Sequence, residues 1–306
     1  MHSHSHSGEN PKHSSNRIAW AFSLNLCFTV IEFIGGWLTN STAIMADAVH
    51  DLGDSLSIGL AWLLSKLSDK SADSTFTYGY HRFSLFGALV NAFVLISGSV
   101  WVLSMAIPRL AQPQMPNAEG MLGLAVLGVL VNGFAAYKLS RGKSLNERVI
   151  NWHLLEDVLG WCAVLVVSLV LLVFDWPILD PILSIAFTLF ILFNVSKYLW
   201  LTTRLFLQAV PDKAMRHQLI EQLSEVDRVS EIHRLHLWSL DGERHVLTAH
   251  LVLDAAVDLQ QQAIIKGEIA ERLSGFALEH TTIEFELPDE NCRDFESNQS
   301  DFESNQ

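Results

Sequence analysis

The sequence predicts an α-helical membrane protein: six transmembrane helices followed by a small α+β domain. Three observations carry that expectation. The 306 residues are 50% hydrophobic and only 17% charged, against about 25% charged in ordinary soluble chains. The charge is also divided unevenly. The first 207 residues hold 13 acidic and 12 basic side chains, and the rest hold 20 acidic and 8 basic. Finally, the first part contains six apolar stretches near the ~20 residues that a helix needs to cross a bilayer. A single soluble domain and a disordered chain are thereby excluded. No block is strongly basic, so nucleic acid is not an expected partner. Cys27, Cys162 and Cys292 form no CxxC, which argues against a disulfide framework or a thiolate zinc finger. They read as buried or idle thiols.

The six stretches are Ile18–Leu38, Thr42–Leu64, Phe83–Ile107, Ala118–Leu139, Ile150–Phe174 and Pro177–Trp200. Turn residues separate them: Gly35-Gly36 and Asn40-Ser41, then Pro108, Pro113 and Pro116, then Trp176-Pro177. Orientation follows from the basic residues, which favour the cytoplasmic side. Lys12 and Arg17, Lys66, Lys70 and Arg82, Lys138, Arg141, Lys143 and Arg148, and Lys197 and Arg204 fall on one side, with Arg109 alone on the other. Both termini are therefore expected in the cytoplasm. Trp20, Trp37, Trp176 and Trp200 lie near segment ends, where interfacial belts form. The first stretch is too long for a cleaved signal peptide and contains Glu32.

Residues 1–16 form a His-rich cytoplasmic segment whose MHSHSHS start is a loose metal binder, a tag or an idle tail. Residues 17–207 form the transmembrane domain and residues 208–288 the cytoplasmic domain. In the latter, Asp212–Leu223 and Leu259–Leu273 have helical spacing. Ser230–Leu240, His245–Asp254 and Thr281–Leu287 read as strands, with Asp241-Gly242 as a turn. The order helix–strand–strand–helix–strand describes a small α+β domain, ferredoxin-like and metallochaperone-like in plan. Residues 289–306 form an acidic tail, expected to be disordered, that repeats DFESNQ.

Ionisable residues inside a membrane segment are expensive and mark function by default. The second segment carries Asp47, His50, Asp51 and Asp54, and the fifth carries His153, Glu156 and Asp157. His50 and Asp54 are four apart and share a helix face, as do His153 and Asp157. Two such helices facing each other offer two imidazoles and two carboxylates, a four-coordinate set that suits zinc. A second register pairs Asp47 with Asp51, an all-oxygen set closer to manganese or magnesium chemistry. Asp47 is also placed to support the first site, and Glu32 to carry protons or balance charge. The structural alternative is a buried salt-bridge cluster. Asn25, Asn91 and Asn132 read as hydrogen bonds between helices, and Asp180 as a solvated residue near a helix end.

At this point the sequence resembles the cation diffusion facilitators, zinc-exporting membrane antiporters. Ser41-Thr42-Ala43-Ile44-Met45-Ala46-Asp47-Ala48-Val49-His50 matches the family's opening to its second helix. Tyr78-Gly79-Tyr80-His81-Arg82 matches its entry to the third, and His233-Arg234-Leu235-His236-Leu237-Trp238 its cytoplasmic HxxHxW strand. The resemblance runs from about Ile18 to Leu287. It implies a transport site at His50, Asp54, His153 and Asp157, with the two-His, two-Asp set associated with zinc preference. It also implies metal binding at His233, His250, Glu284 and Glu286, with His236 as an extra ligand. Asp69, Asp73 and His81 form a weak loop site, or ordinary solvated charge. Ser84 stands where many relatives carry Glu, and Trp152 and Trp161 make the fifth helix bulkier than is usual in the family.

The expected function is Zn2+ export across the inner membrane by a lipid-embedded homodimer, in exchange for protons. Zinc is then both substrate and regulatory ligand, and Cd2+, Co2+, Fe2+ and Ni2+ stay open as further substrates. Two rivals come from other classes. A metal sensor would bind zinc without flux. An intramembrane metal hydrolase would need an open metal position and a base, for which Glu156 is the one candidate.

Overall fold

A computed structural model describes residues 11–68, 70–139, 145–288, 290 and 292. The MHSHSHS start and the repeated tail lie outside the described residues. The chain divides into two units. One takes the residues up to Asp73 together with Phe86–Thr202; the other takes Ser74–Leu85 and the residues from Thr203 onward.

Among the described residues, six long helices run through the first part of the chain: α1 (Pro11–Thr39), α2 (Thr42–Ser68), α3 (Phe83–Ala111), α4 (Ala118–Leu139), α5 (Leu145–Val173) and α6 (Leu179–Phe206). Asn40 makes the tight turn from α1 to α2 at φ 55°, a left-handed value that Asn tolerates better than most residues. Arg109 locks this turn, donating to the Asn40 carbonyl at 2.7 Å and to its Oδ1 at 2.6 Å. Pro108 was expected to end the third helix, yet α3 continues to Ala111. A proline in the last turn removes only its own N–H bond, so a few further residues can follow it.

Among the described residues, α3, Leu155–Val173 of α5, and α6 are long and apolar enough to cross a membrane. The apolar stretches Asn25–Thr39 and Ala118–Phe134 are shorter. Large side chains such as Trp37, Phe134, Phe193 and Trp200 are two-thirds or more exposed, an outer surface that suits lipid rather than water.

The interior of this unit is closely packed where α4 meets α5. Trp161 is 1% exposed and sits in a cluster with Ile44, Met121, Ala125 and Val164. Phe28 meets it edge-on, with ring centroids 5.9 Å apart. Gly128 makes the room: a Cβ there would lie 2.2 Å from Trp161 Cδ2. The bulky fifth helix noted in the sequence is thus matched by a glycine on its neighbour.

The second unit contains α7 (Lys213–Ser224), β1 (Val229–Ser239), β2 (His245–Leu253), α8 (Leu259–Leu273) and β3 (Leu278–Glu286). Asp212 caps α7 by accepting from Ala214 N at 2.9 Å. Asp258 and Gln261 cap α8 reciprocally, satisfying N–H groups that the first turn leaves unpaired. The sheet order is β1-β2-β3. β1 runs antiparallel to β2, and β2 parallel to β3, so the parallel pair needs the α8 crossover between its strands. Leu219 and Leu223 of α7 and Ile265, Ile269 and Leu273 of α8 close on Leu247, Leu251 and Leu253.

Side chains alternate across a strand, so one sheet face packs on the helices and the other is left for different work. β1 changes phase partway. His233 pairs with His250 and His236 with Thr248, so β1 spends one extra residue there. Arg234, at φ 52°, takes up the bulge. Ile232, Leu235 and Leu237 then all reach the helical face, while His233 and His236 both fall on the other.

Gly128→Ala forces a methyl group into the Trp161 ring. A loss of about 1–3 kcal/mol is expected, read as a lower thermal unfolding midpoint in detergent.

Candidate functional site

The helix that carries the ionisable cluster is held at its N-terminus. Ser41 caps α2, and its Oγ accepts from Ile44 N at 3.2 Å. The Asp180 carboxylate of α6 then takes four donors: Ser41 Oγ at 2.5 Å, Thr42 N at 2.7 Å, Thr42 Oγ1 at 2.8 Å and Ala43 N at 3.2 Å. Ser184 adds a bond to the Thr42 carbonyl at 2.9 Å. A carboxylate here also sits at the favourable end of the helix dipole. The sequence reading had Asp180 in water. It is 1% exposed, because backbone and hydroxyl donors from α2 replace its hydration.

Further along α2, the ionisable side chains meet α5. His50 Nε2 lies 3.8 Å from Asp54 Oδ2 and 3.8 Å from Asp157 Oδ1. These side chains keep 23%, 24% and 12% of their exposure, enough access for a small ion. Three of the four expected transport ligands are therefore together. His153 is one helical turn before Asp157 on α5, but its side chain lies outside the described residues. Asp47 is one turn earlier on α2, 8% exposed, with Oδ1 3.7 Å from where a Gly160 Cβ would stand. Its Oδ2 has no hydrogen-bond partner among the described residues. Glu156 is exposed and outside the cluster.

Glu32 of α1 is 0% exposed, and neither of its oxygens has a donor among the described residues. It lies near Asp51 of α2, so two carboxyl groups share one buried stretch where α1 meets α2. Asn25 ties α1 to α2 through Ser55 Oγ at 3.1 Å and the Asp51 carbonyl at 3.3 Å. Asn91 ties α3 to α2 through Ser57 Oγ at 2.7 Å. Asn132 Nδ2 has no such partner among the described residues.

A second cluster forms on the sheet face away from α7 and α8. His233, His250, Glu286 and Cys292 each bring one donor atom within 4.8 Å of all the others. His250 Nδ1 is 2.6 Å from Glu286 Oε1, and His233 Nε2 is 2.9 Å from Glu286 Oε2. Burial pushes the Glu286 carboxyl up. Hydrogen bonds from His250 and Cys292 and charge on the two histidines outweigh it, and leave the carboxyl below its usual range. Glu284 stands beside the group, with Oε2 3.9 Å from His250 Nε2. His236 is exposed and outside the group. It shares the face but lies farther along the strand than the donors reach. By sequence Cys292 is a buried or idle thiol, and no local signal marks it for this group.

The residues of the weak loop site are placed separately. Asp69 lies outside the described residues, Asp73 pairs with Lys70 at 3.4 Å, and His81 Nδ1 lies 2.6 Å from Arg244 Nη1. In the same stretch Tyr78 packs edge-on against His280 and Trp238. Tyr78 and His81 hold the connector to the sheet.

The sequence matches the cation efflux transmembrane domain over residues 18–207 and the cytoplasmic domain of cation efflux proteins over residues 211–287. Among curated relatives, the cadmium, cobalt and zinc/H(+)-K(+) antiporter of Bacillus subtilis is 29% identical over 91% of this chain and 92% of its own. The metal cation efflux system protein CzcD of Cupriavidus metallidurans is 31% identical, covering 94% and 90%. The zinc transporter ZitB of Yersinia pseudotuberculosis is 30% identical, covering 89% and 88%.

Asp180→Asn replaces a four-fold acceptor with a group that accepts on one side only. The folded protein should lose about 1–3 kcal/mol, measured as a lower unfolding midpoint, whereas Asp175→Asn, at an exposed position, leaves it unchanged.

Proposed function

The chain belongs to the cation efflux family of membrane transporters, and we propose that it exports Zn2+ from the cytoplasm in exchange for protons by alternating access. It is a divalent-metal efflux transporter, not an enzyme. The observation that carries the zinc reading is the convergence of His50, Asp54 and Asp157 from α2 and α5. Nitrogen and oxygen donors at tetrahedral count suit zinc, and two carboxylates neutralise a divalent ion where the dielectric is low. His153, four residues before Asp157, is the fourth ligand.

In this reading all six long helices cross the membrane, with both termini on the cytoplasmic side of the bacterial inner membrane. The bundle is embedded in lipid and pairs with a second copy. Asp47 steadies the site from the turn above it. Glu32, buried without a donor, carries protons between the site and the α1–α2 interface. Imidazole and carboxylate ligands bind either metal or protons, so protons arriving from the outer side displace zinc and accompany the return. The His233, His250 and Glu286 group holds a regulatory Zn2+. Cadmium and cobalt, carried in the names of relatives, are secondary substrates.

The experiment is zinc uptake into proteoliposomes under an imposed pH gradient, comparing wild type with Asp54→Ala. Wild-type uptake should follow the gradient and collapse when it is dissipated. Removing one ligand should lower uptake by at least about tenfold, since even groups that only support a ligand cost about 10–100-fold when lost. Uptake that survives the substitution would move the site to Asp47 and Asp51. A folded wild type that binds zinc without flux would point to a sensor.

A further inference from the structure

We propose that Cys292 is a thiolate ligand that closes the cytoplasmic metal site from the segment after β3, making it a four-donor site for a thiophilic divalent cation. The inference rests on the reading that His233, His250 and Glu286 hold a metal, and adds the donor that decides which metal.

The geometry comes from three strands and a turn. The β1–β2 register sets His233 opposite His250, with ring centroids 5.4 Å apart. The parallel β2–β3 register sets Val252 opposite Glu286, which places the carboxylate one alternation along the same face. After β3 the chain turns: Glu290 N donates to the Leu287 carbonyl at 3.0 Å, and Glu290 Oε2 accepts from Leu287 N at 3.2 Å. Cys292 thereby comes back over the sheet, with Sγ 3.4 Å from His250 Nδ1.

Bond lengths of about 2.0–2.3 Å to nitrogen, oxygen and sulfur around a tetrahedral zinc imply donor separations of roughly 3.3–3.8 Å. The sulfur–nitrogen distance is already in that range. The shorter contacts from Glu286 to the two histidines are hydrogen-bond and ion-pair distances, which metal binding would open slightly. Three of the four donors are well buried: His250 at 8% and Glu286 at 3% exposed, and the His233 side chain at 14%. Cys292 is half-buried and supplies the open side. The residue lies beyond the stretch that matches the cytoplasmic domain of the family, residues 211–287, so this ligand belongs to the chain's own tail.

A sulfur donor changes the chemistry of the site. Two imidazoles and a carboxylate accept most first-row divalent ions, whereas a thiolate favours Zn2+, Cd2+ and Co2+ over Mn2+ and Mg2+. Glu284 Oε2 stands 3.9 Å from His250 Nε2, on the far side of the ring from the Nδ1 that faces Glu286 and Cys292.

The test is a Co2+ titration of the full-length protein in detergent, followed by optical absorption and metal stoichiometry, together with Cd2+ competition. Wild type should show a near-ultraviolet thiolate-to-cobalt charge-transfer band. Cys292→Ser should lose that band, keep a cobalt bound through His and Glu, and bind Cd2+ at this site at least about tenfold more weakly. Cys292→His should restore affinity without the band. Cys27 and Cys162 remain in every variant, so loss of the band assigns it to Cys292. An unchanged band and unchanged Cd2+ affinity in Cys292→Ser would overturn the proposal. If His250→Ala then still removes one cobalt per chain, the site held by His233, His250 and Glu286 stands without the cysteine. If neither substitution changes the stoichiometry, that site falls, and the thiolate ligand with it.

Discussion

Carboxylates in an apolar bundle need something to compensate them, and much of the first unit is arranged around that need. An unpaired charge in hydrocarbon costs several kcal/mol or more. The carboxylates on α2 and its neighbours meet that need to different degrees. Asp180 is satisfied by the N-terminal donors of α2. Asp54 and Asp157 share His50. Asp51 lies near a second buried carboxylate, Glu32. Asp47 is left with an oxygen without a partner among the described residues. The first is permanent and structural; the others are of the kind that a metal ion or a proton completes. A helix anchored at one end and incompletely neutralised in the middle is well suited to exchanging one cation for another.

Close packing makes this arrangement specific. Trp161 fills the space between α4 and α5 only because Gly128 has no side chain, and Gly53, beside Asp54, lets Leu95 approach α2 in the same way. Helix pairs in membranes associate through such close approaches and through polar bridges rather than through hydrophobic burial. Asn25 and Asn91 supply the bridges. The positions of His50 and Asp157 relative to each other therefore depend on residues that never touch a ligand.

In the second unit the comparable device is a single bulge. Without the extra residue at Arg234, strand alternation would send His233 and His236 to opposite faces of the sheet. The bulge keeps Leu235 and Leu237 on the hydrophobic core and both histidines on the free face. The cross-strand register then selects His233 for the cluster, because it stands opposite His250.

Much of this was legible in the sequence, because spacing along one element is a local property. Helical period put His50 with Asp54. Strand alternation put Glu284 with Glu286, and the apolar runs and charge division foretold a membrane part and an acidic α+β part. What the sequence could not supply were contacts between elements far apart along the chain. Asp180 is 138 residues from Thr42, and no local pattern says that its carboxylate caps that helix instead of meeting water. His236 and His233 look equivalent in HxxHxW until register separates them. Cys292 looks idle until a turn after β3 brings its sulfur to His250, 42 residues away. The sequence alone determined which residue types each element presents and on which face. Only the tertiary structure decided which of those faces meet, since helix contacts and strand register are set by packing across the whole chain.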